Sequence, residues 1–419
     1  MHPLTMKRPN LTPRRRAAAP VRILIVVRRW ELLLLLLLAV AGVVGWQVYR
    51  RHFASTDAEL VSTLGGNLFP SQILATAATD EAFILPADTP YVGRPQGLMG
   101  IRLRSRRRNT HVQVELAETP FYSRSVSEFV LPRAHADYVV YPDVVWNYDA
   151  LRANVQPTPI SVLAHVTVER QALPQVVRTF SVRSVNECLL GYYRMEGARR
   201  KEWMNTRQLF AAYVNEDSPL IDEVLREALN LRLVNRFMGY QGDSAHVVAQ
   251  VYAMWNVLQR RRFRYSSISN SSLSSNIVFA QRVRTVADAL RSGQVNCVDG
   301  SVLFASLMRA VNIDPILVKL PGHMFVGFYT DRRHTHAHYV ETTMIGDVNL
   351  DDYFPEEQLD STMQHLTQNQ ASRMTFAKSM EYAEAKYQAA RGQLARQSQG
   401  YMLLEITDAV RRRIQPIGK

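Results

Sequence analysis

Cysteine is scarce in this chain: 419 residues hold two, Cys188 and Cys297. That excludes a scaffold held together by many disulfides. Acidic charge is scarce where basic charge is dense. Residues 1–52 carry ten Lys and Arg but a single acid, Glu31, and so hold most of the net charge of +13. The remainder holds 40 basic and 36 acidic groups, close to balance. A nucleic-acid surface needs its basic excess on the folded part, so no nucleic-acid partner is expected. Long apolar runs are also scarce. There is one, which excludes a polytopic membrane protein. With 19 Gly and 19 Pro, and with 47% apolar and 21% charged residues, neither collagen-like repeats nor wholesale disorder fits. The length suits two to three domains with a real core.

The one apolar run reads LLLLLLLAVAGVVGW over residues 32–46, and with its flanks it approaches the roughly 20 residues that span a bilayer. Trp30, Trp46 and Tyr49 stand where interfacial aromatics belong. Eight basic residues precede the run and only Arg50 and Arg51 follow closely. That asymmetry keeps the N-terminus cytoplasmic and exports the rest, to a periplasmic or extracellular location. A cleaved signal peptide ending at Ala39-Val40-Ala41 is the competing reading. The apolar run continues past that site and the basic segment is long, so an uncleaved signal-anchor is expected. This gives a basic cytoplasmic tail over 1–29 and a transmembrane anchor over 30–49.

Residues 50–110 are punctuated by Gly65-Gly66, Pro70, Pro86, Pro90, Pro95 and Gly97 and read as linker and irregular structure. The basic run Arg102, Arg104 and Arg106–Arg108 reads as a solvated strand edge. Over 111–199 the pattern alternates. Val112, Val114 and Leu116 share one face, as do Val162, Ala164, Val166 and Val168, with a weaker repeat at Phe180 and Val182. Period two predicts a small antiparallel β-domain, a sandwich by expectation. From about residue 205 the period turns helical, as at Val248, Val251, Tyr252, Trp255 and Leu258. Asn270–Asn276 (NSSLSSN) reads as a polar loop.

The informative stretch begins at Gly293. Cys297 is followed by a segment apolar nearly all round, from Val298 to Val311. Such a helix belongs at the centre of a domain. Cys297 then sits at its N-terminal end, where the helix dipole favours a thiolate and backbone N–H groups face a developing oxyanion. Asp299 opposes that thiolate. Gln294 and Asn296 are candidate oxyanion donors, although a polar turn explains them equally. Pro321-Gly322 then breaks the chain before His323, which opens an alternating strand, and HYVETTM reads as the return strand. A symmetric hairpin centred on Arg332 puts His323 directly opposite Glu341, with Cβ atoms about 4.5–5.5 Å apart. A one-residue slip would turn Glu341 to the other face. A cysteine nucleophile needs a base and the base an orienter, so Cys297, His323 and Glu341 are the candidate catalytic set. Of the two readings open to an exported pair of cysteines, one disulfide or one working thiol, these surroundings favour the second.

Gly-x-x-x-Cys, a buried helix, a His-bearing strand and an acid followed by Thr on the next strand together resemble the transglutaminase-like superfamily, papain-like thiol enzymes with a Cys-His-Asp triad. The resemblance covers roughly residues 240–345. It implies an α+β fold with a thiol domain over 200–345, Cys297 as nucleophile, His323 as base and Glu341 as orienting acid. Glu341 departs from the family's Asp by one methylene. The implied activity is attack on an amide bond through a thioester. A peptidase or amidase is favoured over cross-linking, with a protein or peptide substrate of the cell envelope. The alternative is a non-catalytic module for binding or assembly. No cofactor is implied. Cys188, in NECLLGYY, reads as packing. His334, His336 and His338 alternate as metal ligands might on a strand, but they flank a turn with no fourth ligand evident, and no metal is expected. Residues 346–419 read as a helical extension without chemistry, rich in the residues of an exposed helix.

Overall fold

A computed structural model describes residues 29–52, 57–79, 81–84, 89–95, 98–196, 199–266, 271–346 and 367–418. The chain forms two compact units, Met1–Ser55 and Thr56–Lys419. The basic tail, residues 1–28, lies outside the described residues, as do Pro86 and Gly97. In the first unit, Arg29–His52 form one helix of 24 residues, about 36 Å long at 1.5 Å per residue. Its side chains are described over residues 34–47, and all are exposed, Leu37 at 66%. Among the described residues no helix is long and apolar enough to cross a membrane.

The second unit is mixed α+β. Its first half bears out the period-two pattern. Thr110–Leu116 alternate buried and exposed, with Val112, Val114 and Leu116 inside. Val114 pairs with Val166 on the antiparallel strand Thr158–Val168, and Ser127 of strand Ser125–Leu131 flanks the other side. A second sheet, in the order Glu59–Val61, Gly100–Arg104, Asp137–Tyr141 and Tyr91–Gly93, buries Ile101, Leu103 and Val140 in the same core. The stretch assigned above to a linker, 50–110, therefore contains ordered strands. It also contains a short helix, Pro70–Ala75, every residue of which is buried. Its turn residues punctuate short strands, and short strands give too few alternations to be legible. Arg102 and Arg104 lie on the second sheet and face Glu59 and Asp137.

The boundary expected near residue 199 is bridged. Strand Glu187–Glu196 pairs with both Arg199–Asn205 and Val278–Arg282, which in turn pairs with Ser271–Ser274. The polar loop expected over 270–276 is thus partly a strand. Its serines make a poor apolar signal, because cross-strand backbone bonds hold them.

The centre of the thiol region is the helix Cys297–Ala310, buried from Cys297 through Met308. It starts at an Asn296–Asp299 capping box, as a first turn with four orphan N–H groups requires. Helix Ser244–Arg260 packs Trp255 against Phe304, with ring centroids 5.9 Å apart. On the other side lies an antiparallel sheet in the order Ala337–Val340, His323–Tyr329, Pro315–Leu320 and Met402–Glu405. The last strand and the helix Gln368–Ala395 pack on the thiol region, as expected of the extension, but the helix is less exposed than its composition suggested. The helix buries a stripe of Ser372, Phe376, Ser379, Ala383, Ala390 and Leu394, and Phe376 reaches Trp255 at 5.7 Å. Ile414 and Ile417 enter the main core. Small and polar residues in that stripe hid it from the periodicity.

Phe304 is fully buried between these layers. Phe304→Ala removes its contacts and leaves a cavity, and is expected to destabilise the second unit by roughly 3–5 kcal/mol. The check is the shift in urea midpoint at constant m-value. A shift worth less than about 1 kcal/mol would mean that this helix is not the centre of the core.

Candidate active site

His323 is placed by a tight turn. Leu320 pairs with His323 across Pro321-Gly322, and Gly322 has φ +74°, a conformation open to glycine at little cost. The next hairpin is not centred where symmetry suggested. Val326 pairs with Val340 and Tyr329 with Ala337, a register displaced by two residues and centred on Arg333. The physical reason is Asp331. Its carboxylate accepts hydrogen bonds from the backbone of Arg333, Thr335 and His336 and from the Thr335 hydroxyl, which sets a longer turn than expected. A displacement of two preserves the face, because side chains alternate with period two. Glu341 is consequently not the cross-strand partner of His323. It follows the last paired residue, Val340, and caps the short 3-10 helix Thr342–Ile345.

The two side chains still meet. His323 Nε2 and Glu341 Oε2 are 2.6 Å apart. Glu341 is wholly buried, while the His323 side chain is 27% exposed. The other carboxylate oxygen, Oε1, accepts from the Thr343 N–H at 3.1 Å and the Thr343 hydroxyl at 2.8 Å. The backbone of Glu341 is clamped by Ser379, whose Oγ accepts from the Glu341 N–H at 2.9 Å and donates to the Glu341 carbonyl at 3.2 Å. Thr343 falls within the ETT motif. Ser379 had no signal in the sequence, because it acts across 38 residues from an alanine-rich helix. Gly300 lets this turn approach the central helix: a Cβ there would stand 2.7 Å from Thr342 Oγ1.

Cys297 lies at the N-terminus of that helix and is 5% exposed. With His323 it lines a cavity of about 260 Å³, alongside Leu190, Phe279, Gln281 and Lys319. Burial disfavours the charged imidazole, but hydrogen bonding to Cys297 and to Glu341 outweighs it, and the His323 pKa is pushed up to about 9. Asp299 is neutralised rather than set against Cys297. Its carboxylate meets the Arg284 guanidinium at 2.6 Å and accepts from the Arg284 and Asn296 N–H groups.

The sequence-based oxyanion donors fare differently from the triad. The Asn296 side-chain oxygen caps the helix, accepting from Val298 and Asp299 N–H at 2.9 Å each. Gln294 is exposed on a two-residue strand. Neither lines the cavity, whereas Gln281 does, and nothing in its strand context marked it beforehand. Both cysteines are free. Cys188 is fully buried on its strand, and burial pushes its thiol well up. The three alternating histidines diverge. His334 stacks on Tyr329 at 3.9 Å and meets Asp314, His336 turns to Thr335, and His338 lies against Phe328. Among the described residues no group of three ligating side chains is placed to hold a metal.

No family model matches the chain, and no curated protein matches it.

The raised His323 pKa has a stability consequence. The folded chain holds a proton there that the unfolded chain releases above about pH 6.5. This stabilisation is complete below that pH and is lost as pH rises through about 9. In urea titrations the stability gap between the native chain and His323→Gln is expected to narrow from pH 6.5 to 9. A gap that stays constant over that window would show that the imidazole is not charged in the folded state.

Proposed function

We propose that this chain is a membrane-anchored thiol enzyme of the transglutaminase-like type that cleaves amide bonds. The observation that carries this reading is the 2.6 Å contact between His323 and the wholly buried Glu341, on a ring that lines one cavity with Cys297. A carboxylate held so firmly fixes the imidazole's tautomer and tilt, which is what an orienting acid must do. With Nε2 on Glu341, Nδ1 is the nitrogen that serves the thiol.

In this mechanism the Cys297 thiolate attacks the amide carbonyl carbon, forming the C–S bond and an oxyanion. The His323 imidazolium gives its proton to the amide nitrogen as the C–N bond breaks, releasing the amine and leaving a thioester. Water then attacks the thioester carbon and gives a proton to His323. The carboxylic acid departs as the C–S bond breaks and the thiolate is restored. The Val298, Asp299 and Gly300 N–H groups are already bonded to Asn296. The oxyanion therefore falls to the Cys297 N–H and to the Gln281 carboxamide, which lines the cavity. Glu341 supports the arrangement despite its extra methylene, because the 3-10 turn after Val340 sets its backbone back from the strand. The apolar run over residues 32–46 and the basic residues that precede it support an anchor with the N-terminus cytoplasmic and the second unit exported.

The test is alkylation of the full-length chain by iodoacetamide at pH 6, followed by peptide mass spectrometry. Cys297 is expected to react at least about tenfold faster than Cys188, the internal control, and Glu341→Gln to slow it by a similar factor. An amide-bearing, thiol-directed probe is expected to label the native chain and not Cys297→Ala. Equal labelling of the two chains would sink the enzyme and leave a binding or assembly module. If turnover is found, His323→Ala is expected to lower kcat by about 10²–10⁴.

A further inference from the structure

One cation stands beside the thiol, and the mechanism above does not use it. Lys319 lines the cavity with Cys297 and His323. Its ammonium donates only to a backbone carbonyl, that of Leu320, at 3.3 Å. It joins no ion pair among the described residues.

The acids of the site are committed elsewhere. Asp299 is held by Arg284, and Glu341 by His323 and Thr343. Holding a cation partly out of water with no counter-charge costs free energy. Burial pulls the Lys319 pKa below its ordinary value. An arrangement of this kind is stable in use when an anion completes it. The opposing wall is apolar, formed by Leu190, Leu273 and Phe279. A volume of about 260 Å³ suits one side chain or one chain end rather than a long segment.

We propose that Lys319 forms a carboxylate subsite next to Cys297, so that the amide substrates carry a carboxylate within about one residue of the scissile bond. This rests on the thiol-enzyme reading for its role in turnover, but not for the binding itself. The carboxylate is either an acidic side chain or a free chain end. Lys319 supplies the point charge, while the apolar wall takes the aliphatic part of the ligand.

The first arm compares alkylation of Cys297 by iodoacetate and by iodoacetamide in the full-length chain. The two reagents differ in one respect that matters here, a carboxylate in place of a neutral amide. A change in thiol reactivity affects both, so the ratio of their rates reports on the subsite. Lys319→Gln is expected to lower the iodoacetate-to-iodoacetamide ratio by at least about threefold. A ratio unchanged in this variant overturns the proposal. Should Cys297 resist both reagents, the thiol-enzyme reading fails, and the subsite is judged by a second arm that needs no thiol.

That second arm is calorimetry on full-length Cys297→Ala with N-acetylglutamate α-amide, N-acetylglutamine and N-acetylglutamine α-amide. One or both carboxylate ligands are expected to bind at least about tenfold more tightly than the neutral one, and to lose that preference in Lys319→Gln. The α-amide of glutamate reports a side-chain carboxylate, and free N-acetylglutamine a chain end. Binding of all three alike, or of none, overturns the subsite even if the thiol proves reactive.

Discussion

Much of the site depends on one buried carboxylate having no freedom to leave its imidazole. Glu341 has no access to water, so its charge must be satisfied by protein. One oxygen meets His323 and the other is shared by two donors of Thr343, so the side chain has one well-satisfied pose. Ser379 then fixes the backbone beneath it. Each layer constrains the one inside it: helix to strand end, strand end to acid, acid to ring, ring to thiol. In the thiol-enzyme reading proposed above, this anchoring of the backbone is what accommodates the extra methylene of Glu341.

The central elements were legible because their signals are local. A helix apolar on every face belongs inside, and Cys297–Ala310 is buried through Met308. Alternation marked Val112, Val114 and Leu116, and Val162, Ala164, Val166 and Val168; all are buried except Val168 at the strand end, which is half-buried. Pro321-Gly322 marked the turn that delivers His323. The hairpin register was misjudged by two residues, since the hydrogen bonds that Asp331 makes to its own turn do not show in a periodicity. The face survived because an even displacement preserves it.

What stayed hidden is long-range. Ser379, Lys319 and Gln281 acquire meaning only from neighbours brought in by the fold. Gln294 and Asn296 looked suitable by proximity in sequence, but helix capping claimed one and exposure removed the other. The helix Gln368–Ala395 read as solvent-facing because its buried stripe is largely small residues, which contribute contact area without raising hydropathy. The strands within 59–104 were too short to establish a period.

The closing segment has a consequence for biogenesis. The strand Met402–Glu405 forms the outer edge of the sheet that carries His323, and the Ile417 N–H bonds the carbonyl of Ala212, more than two hundred residues earlier. Ser379 lies in the helix that precedes this return. A chain emerging N-terminus first therefore displays Cys297 and His323 before the parts that brace Glu341 exist. Assembly of the triad waits on contacts of very high sequence separation, which form late and slowly. Until the segment that carries Ser379 has been made, Glu341 lacks the clamp on its backbone.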